Sequence, residues 1–362
     1  MKRYAQKGVP INLSEETIYV GIDVHKVAWD VTVRTEDVEL SVARIPGRWE
    51  CLEKILTPYR AAKGVKAVYE AGFSGFWLYR KITAWGGECL VTPPSHLPQE
   101  SGNRVKTDRK DSRKLAHLLS KGLLRGIYVP SEEELSHRDV LRRRQGLMAD
   151  RTRVMNRIRS KLLFLGIGLP EELSDWSKAF LKHLKGLRLT DRWEEEGFAR
   201  LLEEYTSLSQ LIDEQTKLLK ELAKTASYQT NVALLKSFSG MGVTTAMALL
   251  LELGDVSRFR QGDQLSAYAG LSPSQYSSGE KVRLGHITGM GKHMLRSLLV
   301  ELAWRAVSQD SALGNHYRTL CARSGGKRAI VAIARRILQI LRRMLLDQKP
   351  YDPQKLAQKE YA

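Results

Sequence analysis

The chain has 362 residues, enough for about two or three domains, and its 58 Lys and Arg against 40 Asp and Glu leave a formal net charge of +18. A polyanion is the favoured partner, nucleic acid ahead of an anionic membrane surface. No apolar run reaches membrane-span length, the first residues lack the apolar centre of a signal peptide, and Cys51, Cys89 and Cys321 match neither zinc spacing nor a disulfide framework. A soluble cytoplasmic protein with reduced cysteines and no membrane partner is expected.

In chain order, TIYVGIDVH, AWDVTVRT and VELSVARI, within residues 17–45, are β-branched runs separated by short polar turns, which predicts an antiparallel meander. WECLEKILTPYRAA, VKAVYE, FWLYRKITAW, ECLVTP and DSRKLAHLLSKG then alternate helix and strand, predicting a mixed sheet covered by helices. From about 134 to 230 the pattern is helical and suits long α-hairpins. Residues 138–163 carry nine basic and two acidic side chains, whereas 191–222 is much more acidic, so the first of these helices is the better phosphate contact.

Beyond 231 the texture is one of Gly-punctuated short helices. Ser239-Gly240-Met241-Gly242 and Thr288-Gly289-Met290-Gly291 are similar cores, each predicted to precede an amphipathic helix, a weak internal duplication. The first resembles a helix-hairpin-helix, whose glycines let backbone amides approach a phosphate; tight helix packing explains it equally well. Residues 281–349 hold fourteen basic and three acidic side chains. The expected division is a sheet domain at 15–130, a helical hairpin or coiled-coil segment at 131–230, a small mainly helical domain at 231–350 and a tail at 351–362.

Asp23 lies in the first strand and Glu70 ends VKAVYE, so the two reach one sheet edge if their strands are neighbours. Asp108 and Asp111, three apart at a helix start, can share a face, and the helix N-terminus tolerates their charge. Four hard oxygen donors suit phosphodiester chemistry, in which two Mg²⁺ ions roughly 4 Å apart stabilise the attacking and leaving oxygens. Each acid alone could as well end a strand or cap a helix. Residues 102–125 hold eight Lys or Arg, and Arg104, Lys106, Arg109, Lys110 and Arg113 are candidate DNA-backbone contacts, with Arg142, Arg143 and Arg144 further on. His25, beside Asp23, is assigned no role.

In SPSQYSSGEKVRLG, Ser277 and Ser278 precede Gly279 in a predicted loop, with Lys281 and Arg283 close behind to neutralise a phosphate. Read alone, Ser-Ser-Gly is also ordinary turn chemistry.

YVGIDVHK, VYEAGFSGFWLYR, KTDRKDSRKLAHLL, FSGMGVTTAMALL and the run from QLSAYAGLSPSQYSSGEK to ITGMGKHMLRSLLVELA resemble, in that order and over about residues 17–345, the DEDD transposases of bacterial and archaeal insertion sequences. The resemblance implies a ribonuclease-H-like (RuvC-like) N-terminal domain, a helical middle and a serine-bearing C-terminal domain. The family's carboxylates match Asp23, Glu70, Asp108 and Asp111. Its nucleophilic serine matches Ser278, with Ser277 the neighbouring candidate; where the family often has two glycines after the serine, this chain reads Gly279-Glu280. The resemblance further implies Mg²⁺, donor and target DNA, a structured non-coding guide RNA, and dimers or tetramers on DNA at the nucleoid.

Three other readings compete. One is a RuvC-like nuclease in which water attacks. Another is an actin-like sugar kinase, for which Gly21-Ile22-Asp23 would be a phosphate loop, although no convincing second Gly-rich loop follows. The last is a basic nucleic-acid-binding protein without catalysis.

Overall fold

The computed structural model describes residues 13–97, 108–170, 172–173, 175–278 and 281–354. Contacts divide the chain into two units, 1–129 and 130–362.

The first unit begins with β1 (Thr17–Val24), β2 (Ala28–Arg34) and β3 (Glu39–Pro46), followed by α1 (Trp49–Leu56), β4 (Gly64–Glu70), α2 (Trp77–Trp85), β5 (Glu88–Thr92) and α3 (Asp108–Ser120). The sheet order is β3-β2-β1-β4-β5; the first three strands form the expected antiparallel meander, and β4 and β5 run parallel to β1. Strand alternation puts Ile18, Val20, Ile22, Trp29, Val31, Val33, Ala67 and Tyr69 in one buried cluster with Leu52 and Leu56 of α1 and Leu78 and Ile82 of α2.

The other face is taken by α3, which packs on β1, β2 and β4. Gly21 permits the approach: a Cβ there would stand 2.2 Å from the Ser112 carbonyl and 2.5 Å from the Ala116 nitrogen. The Thr32 and Ser112 hydroxyls, 2.9 Å apart, and Arg34 Nη1 to His117 Nδ1, also 2.9 Å, fix the helix's register on β2.

In the second unit, α4 (Glu132–Phe164) and α6 (Arg192–Leu222) form the expected long hairpin. A capping box opens α4: Ser131 Oγ accepts from the Glu134 amide, and the Glu134 carboxylate accepts from the Ser131 amide. Asp191 caps α6 through the Trp193 and Glu194 amides. Val154, Ile158 and Leu162 pack with Phe198, Leu202 and Tyr205 at one end, joined by Phe180 and Leu184 of α5 (Lys178–Gly186). Leu141 and Leu219, near the other end, enter a second core, so the pair is antiparallel.

That second core gathers α7 (Gln229–Lys236), α8 (Val243–Leu253), α9 (Gly262–Tyr268), α10 (His293–Gln309), α11 (Ser311–Ser324) and α12 (Gly326–Asp347). Two expectations are corrected here. The helix after Ser239-Gly240-Met241-Gly242, α8, is not amphipathic: every residue from Thr245 to Leu253 is buried, because neighbours surround it. The helix expected after the second glycine core is present as α10, and a strand precedes that core. That strand belongs to a hairpin of β6 (Pro273–Ser278) and β7 (Lys281–Ile287), so Ser277 and Ser278 close a strand instead of lying in a loop. The pairing of Ser278 with Lys281 leaves only Gly279 and Glu280 between the strands, the length of a tight β-turn.

Candidate active site

The C-terminal ends of β1 and β4 carry the first two acids. These parallel strands pair as far as Ile22 and Tyr69, so Asp23 and Glu70 follow as immediate neighbours. Asp23 pairs across the antiparallel ladder with Asp30, Asp30 pairs with Arg44, and on the other side Glu70 pairs with Thr92. Residues in register on adjacent strands project to the same face, so Arg44, Asp30, Asp23, Glu70 and Thr92 form one polar rank across the five strands. The face is the one α3 covers, because Asp23 shares it with Gly21.

Asp111 lies on α3, the helix that covers this face. It is half-buried on α3, next to Ser112, whose carbonyl lies over Gly21 and whose hydroxyl bonds Thr32. Asp108 opens the same helix; its side chain lies outside the described residues, as do that of Arg109 and the whole of Arg104 and Lys106. Asp23 Oδ2 stands 3.0 Å from His25 Nε2. Among the described residues, no three acidic, His or Cys side chains close to chelating distance. The fold nevertheless brings hard oxygen donors from two adjacent strand ends beneath a helix start, a donor set that suits a divalent cation such as Mg²⁺.

Two features of this end were not found from the sequence. Asp30 has no exposed surface, and Arg44 Nη1 lies 3.4 Å from its Oδ2; the D-x-T-x-R alternation of β2 was the available signal. The loop after Glu70 is also pinned. Burial pushes the Tyr69 phenol well above its ordinary range, so it stays protonated, and its hydroxyl donates to the Gly75 carbonyl at 2.9 Å.

The expected DNA-binding cations fare differently from one another. Lys110 is exposed. Arg113 makes two 3.0 Å bonds to the Glu39 carboxylate, and nearby Lys121 meets Glu36 at 3.1 Å, so the acidic turn between β2 and β3 partly neutralises α3. On α4, Arg143 is exposed, Arg142 Nε lies 3.6 Å from Glu252, and Arg144 donates to the Thr216 hydroxyl of α6 at 2.7 Å. Burial pulls the Arg144 pKa below its ordinary value, helped by the Arg151 charge.

The β6–β7 hairpin places Ser278 at the end of β6 with Lys281 opposite and Arg283 opposite Tyr276; the side chains of Ser277, Ser278, Lys281 and Arg283 are outside the described residues. Its stem is tightly built. The Thr288 amide donates to the Ser272 carbonyl at 3.2 Å. Gly291, at φ +87°, would place a Cβ 2.6 Å from the Gly270 nitrogen and 2.7 Å from the Ala267 carbonyl. Lys292, the next residue, donates to buried Glu252 Oε2 at 2.6 Å, and the Tyr268 hydroxyl donates to the Glu252 carbonyl at 3.2 Å. The sequence signal for this anchor is a lone acid in the apolar run MALLLEL, which requires a partner once buried.

Comparison with known proteins gives two family matches. A transposase model of the DEDD IS110 type matches residues 20–166, the stretch from β1 to α4. A model described as Transposase IS116/IS110/IS902 family matches residues 232–318, from α7 into α11. The chain is 31% identical over 293 residues to y4qE of Sinorhizobium fredii, which bears a transposase's name, covering 79% of this chain and 71% of that protein. It is 27% identical over 320 residues to the transposase for insertion sequence element IS1533 of Leptospira borgpetersenii, covering 87% and 91%. Against the transposase for IS1111A of Coxiella burnetii it is 28% identical over 299 residues, 80% of this chain and 79% of that one.

Proposed function

The chain belongs to the IS110/IS116 family of insertion-sequence transposases, enzymes that cut and join DNA, and from that premise we propose a chemistry shared between the carboxylate rank and the serine hairpin. The observation that carries the proposal is the placement of Asp23 beside Glu70 under the start of α3. Asp23, Glu70, Asp108 and Asp111 would hold two Mg²⁺ ions, which when bound neutralise the phosphate and stabilise the entering and departing oxygens.

Ser278 is the nucleophile. Its oxygen attacks phosphorus as its proton passes to water, the bond to the departing strand breaks and that strand's oxygen takes up a proton, and a phosphoserine link remains. A strand-end hydroxyl later displaces the serine, so the bond's energy is conserved without ATP. Lys281 and Arg283 balance the phosphate charge, while Lys110 and Arg143 contact the DNA backbone. The family resemblance supports a guide RNA from the element and a homo-oligomer on DNA; removing the RNA should then abolish the choice of target without abolishing non-specific DNA binding.

The test is a covalent adduct. Protein incubated with element-junction DNA and Mg²⁺ should yield a protease-sensitive DNA shift that Ser278→Ala abolishes and Ser277→Ala retains. Free DNA ends without an adduct would instead identify water as the nucleophile.

A further inference from the structure

The loops leaving β1 and β4 carry more than acids. Just past Asp23, the turn into β2 exposes Val27 to 83%; just past Glu70, Phe73 is 65% exposed and Trp77, at the start of α2, 42%. Large apolar groups in such company mark a binding surface. Their exposure is built in. Ser74, next to Phe73, is buried, and the following Gly75 has its carbonyl tied to the Tyr69 hydroxyl, so the turn holds Phe73 outward. Trp77 leans on the buried Trp29 ring at 5.7 Å, which fixes one side of its indole. Gly47 donates to the Val27 carbonyl at 2.8 Å, and the exposed cations Lys26 and Arg48 therefore flank the patch.

We infer that Phe73 and Trp77 form a stacking platform for an unpaired nucleobase of the DNA strand that enters the carboxylate site. Aromatic faces bracketed by cations fit a strand whose backbone is anionic and whose bases are flat. A base inside a duplex has both faces covered by its neighbours, so only an opened or frayed nucleotide can use the platform. The inference rests on the proposed DNA chemistry for its position, since β1 and β4 are parallel and their C-terminal loops share one end of the sheet.

The test uses the full-length protein in EDTA with a single-stranded DNA carrying 2-aminopurine, alongside its duplex and an RNA of the same sequence. Binding of the single strand should change the 2-aminopurine emission. The Phe73→Ala/Trp77→Ala variant should lose that change and about tenfold or more in single-strand affinity, with duplex affinity and salt dependence kept; Phe73→Tyr should retain both signals. Equal losses for duplex and single strand, a response to RNA but not DNA, or unchanged DNA binding with lost self-association in sedimentation would each overturn the inference. Neither metal nor serine is needed in this assay, so a missing adduct with the emission change intact would sink the proposed chemistry alone.

Discussion

Asp23 and Asp30 face each other across the β1–β2 ladder, one 16% exposed at a strand end and the other with no exposed surface. Two acids in one cross-strand pair repel unless cations intervene. On the outer side Arg44 supplies one, at 3.4 Å from Asp30.

Removing that cation should therefore destabilise the first unit. Arg44→Met is expected to cost about 2 kcal/mol, below the usual figure for a broken buried pair because Arg44 is itself half in water. Asp30→Asn/Arg44→Met should recover most of the loss, since no charge is then buried. Urea titration of the three proteins measures this, and a double variant less stable than Arg44→Met would refute the coupling.

Gly21 is a steric requirement, since the obstacles to a Cβ are backbone atoms of α3 at 2.2 and 2.5 Å. Gly21→Ala should lift the helix from β1 and cost about 3 kcal/mol as an overpacked contact. Faster amide exchange along α3 is the expected signature; wild-type protection would show that the helix does not need the glycine.

The Glu252–Lys292 pair anchors the serine hairpin in the second unit. Lys292→Met leaves a buried carboxylate with the more distant Arg142 as its cation among the described residues and should cost about 3 kcal/mol. Glu252→Gln, which keeps the acceptor and removes the buried charge, should cost less. Thermal melts rank the two, and the reverse order would contradict the anchor.

Burial pushes the Cys89 thiol up to about 12. At pH 8 its thiolate fraction then falls from about one in ten to about one in ten thousand, so native protein should leave Cys89 unlabelled by iodoacetamide while guanidinium exposes it. The sign for stability follows. The folded thiol keeps its proton to higher pH than the unfolded one, so this group's contribution is intact below the unfolded pKa and is lost as pH climbs towards about 12. Rapid native labelling of Cys89 at pH 8 would contradict both.

Much of this was legible in the chain. The meander, the order of helices and strands, and the placing of Asp23 and Glu70 at strand ends all follow from local alternation and turn residues, which is information carried within short windows. Asp30 is not legible in this way because its importance depends on which strand pairs with β1 and in which register. Lys292 lies forty residues from Glu252 in sequence, and only the fold makes them neighbours. Ser277 and Ser278 predict a loop because Ser-Ser-Gly carries turn chemistry, whereas β6 runs through both serines. The cations of α3 looked available for DNA because their partners, Glu36 and Glu39, sit on another element.

The central claim is that Asp23, Glu70 and α3's acids share one divalent cation site, and crystals soaked in Mn²⁺ test it most directly. The account expects an anomalous peak bounded by the carboxylates of Asp23 and Glu70, with Asp108 or Asp111 completing it, and its loss in Asp23→Asn. Manganese bound elsewhere on the chain, with none at the Asp23–Glu70 strand ends, would contradict the account.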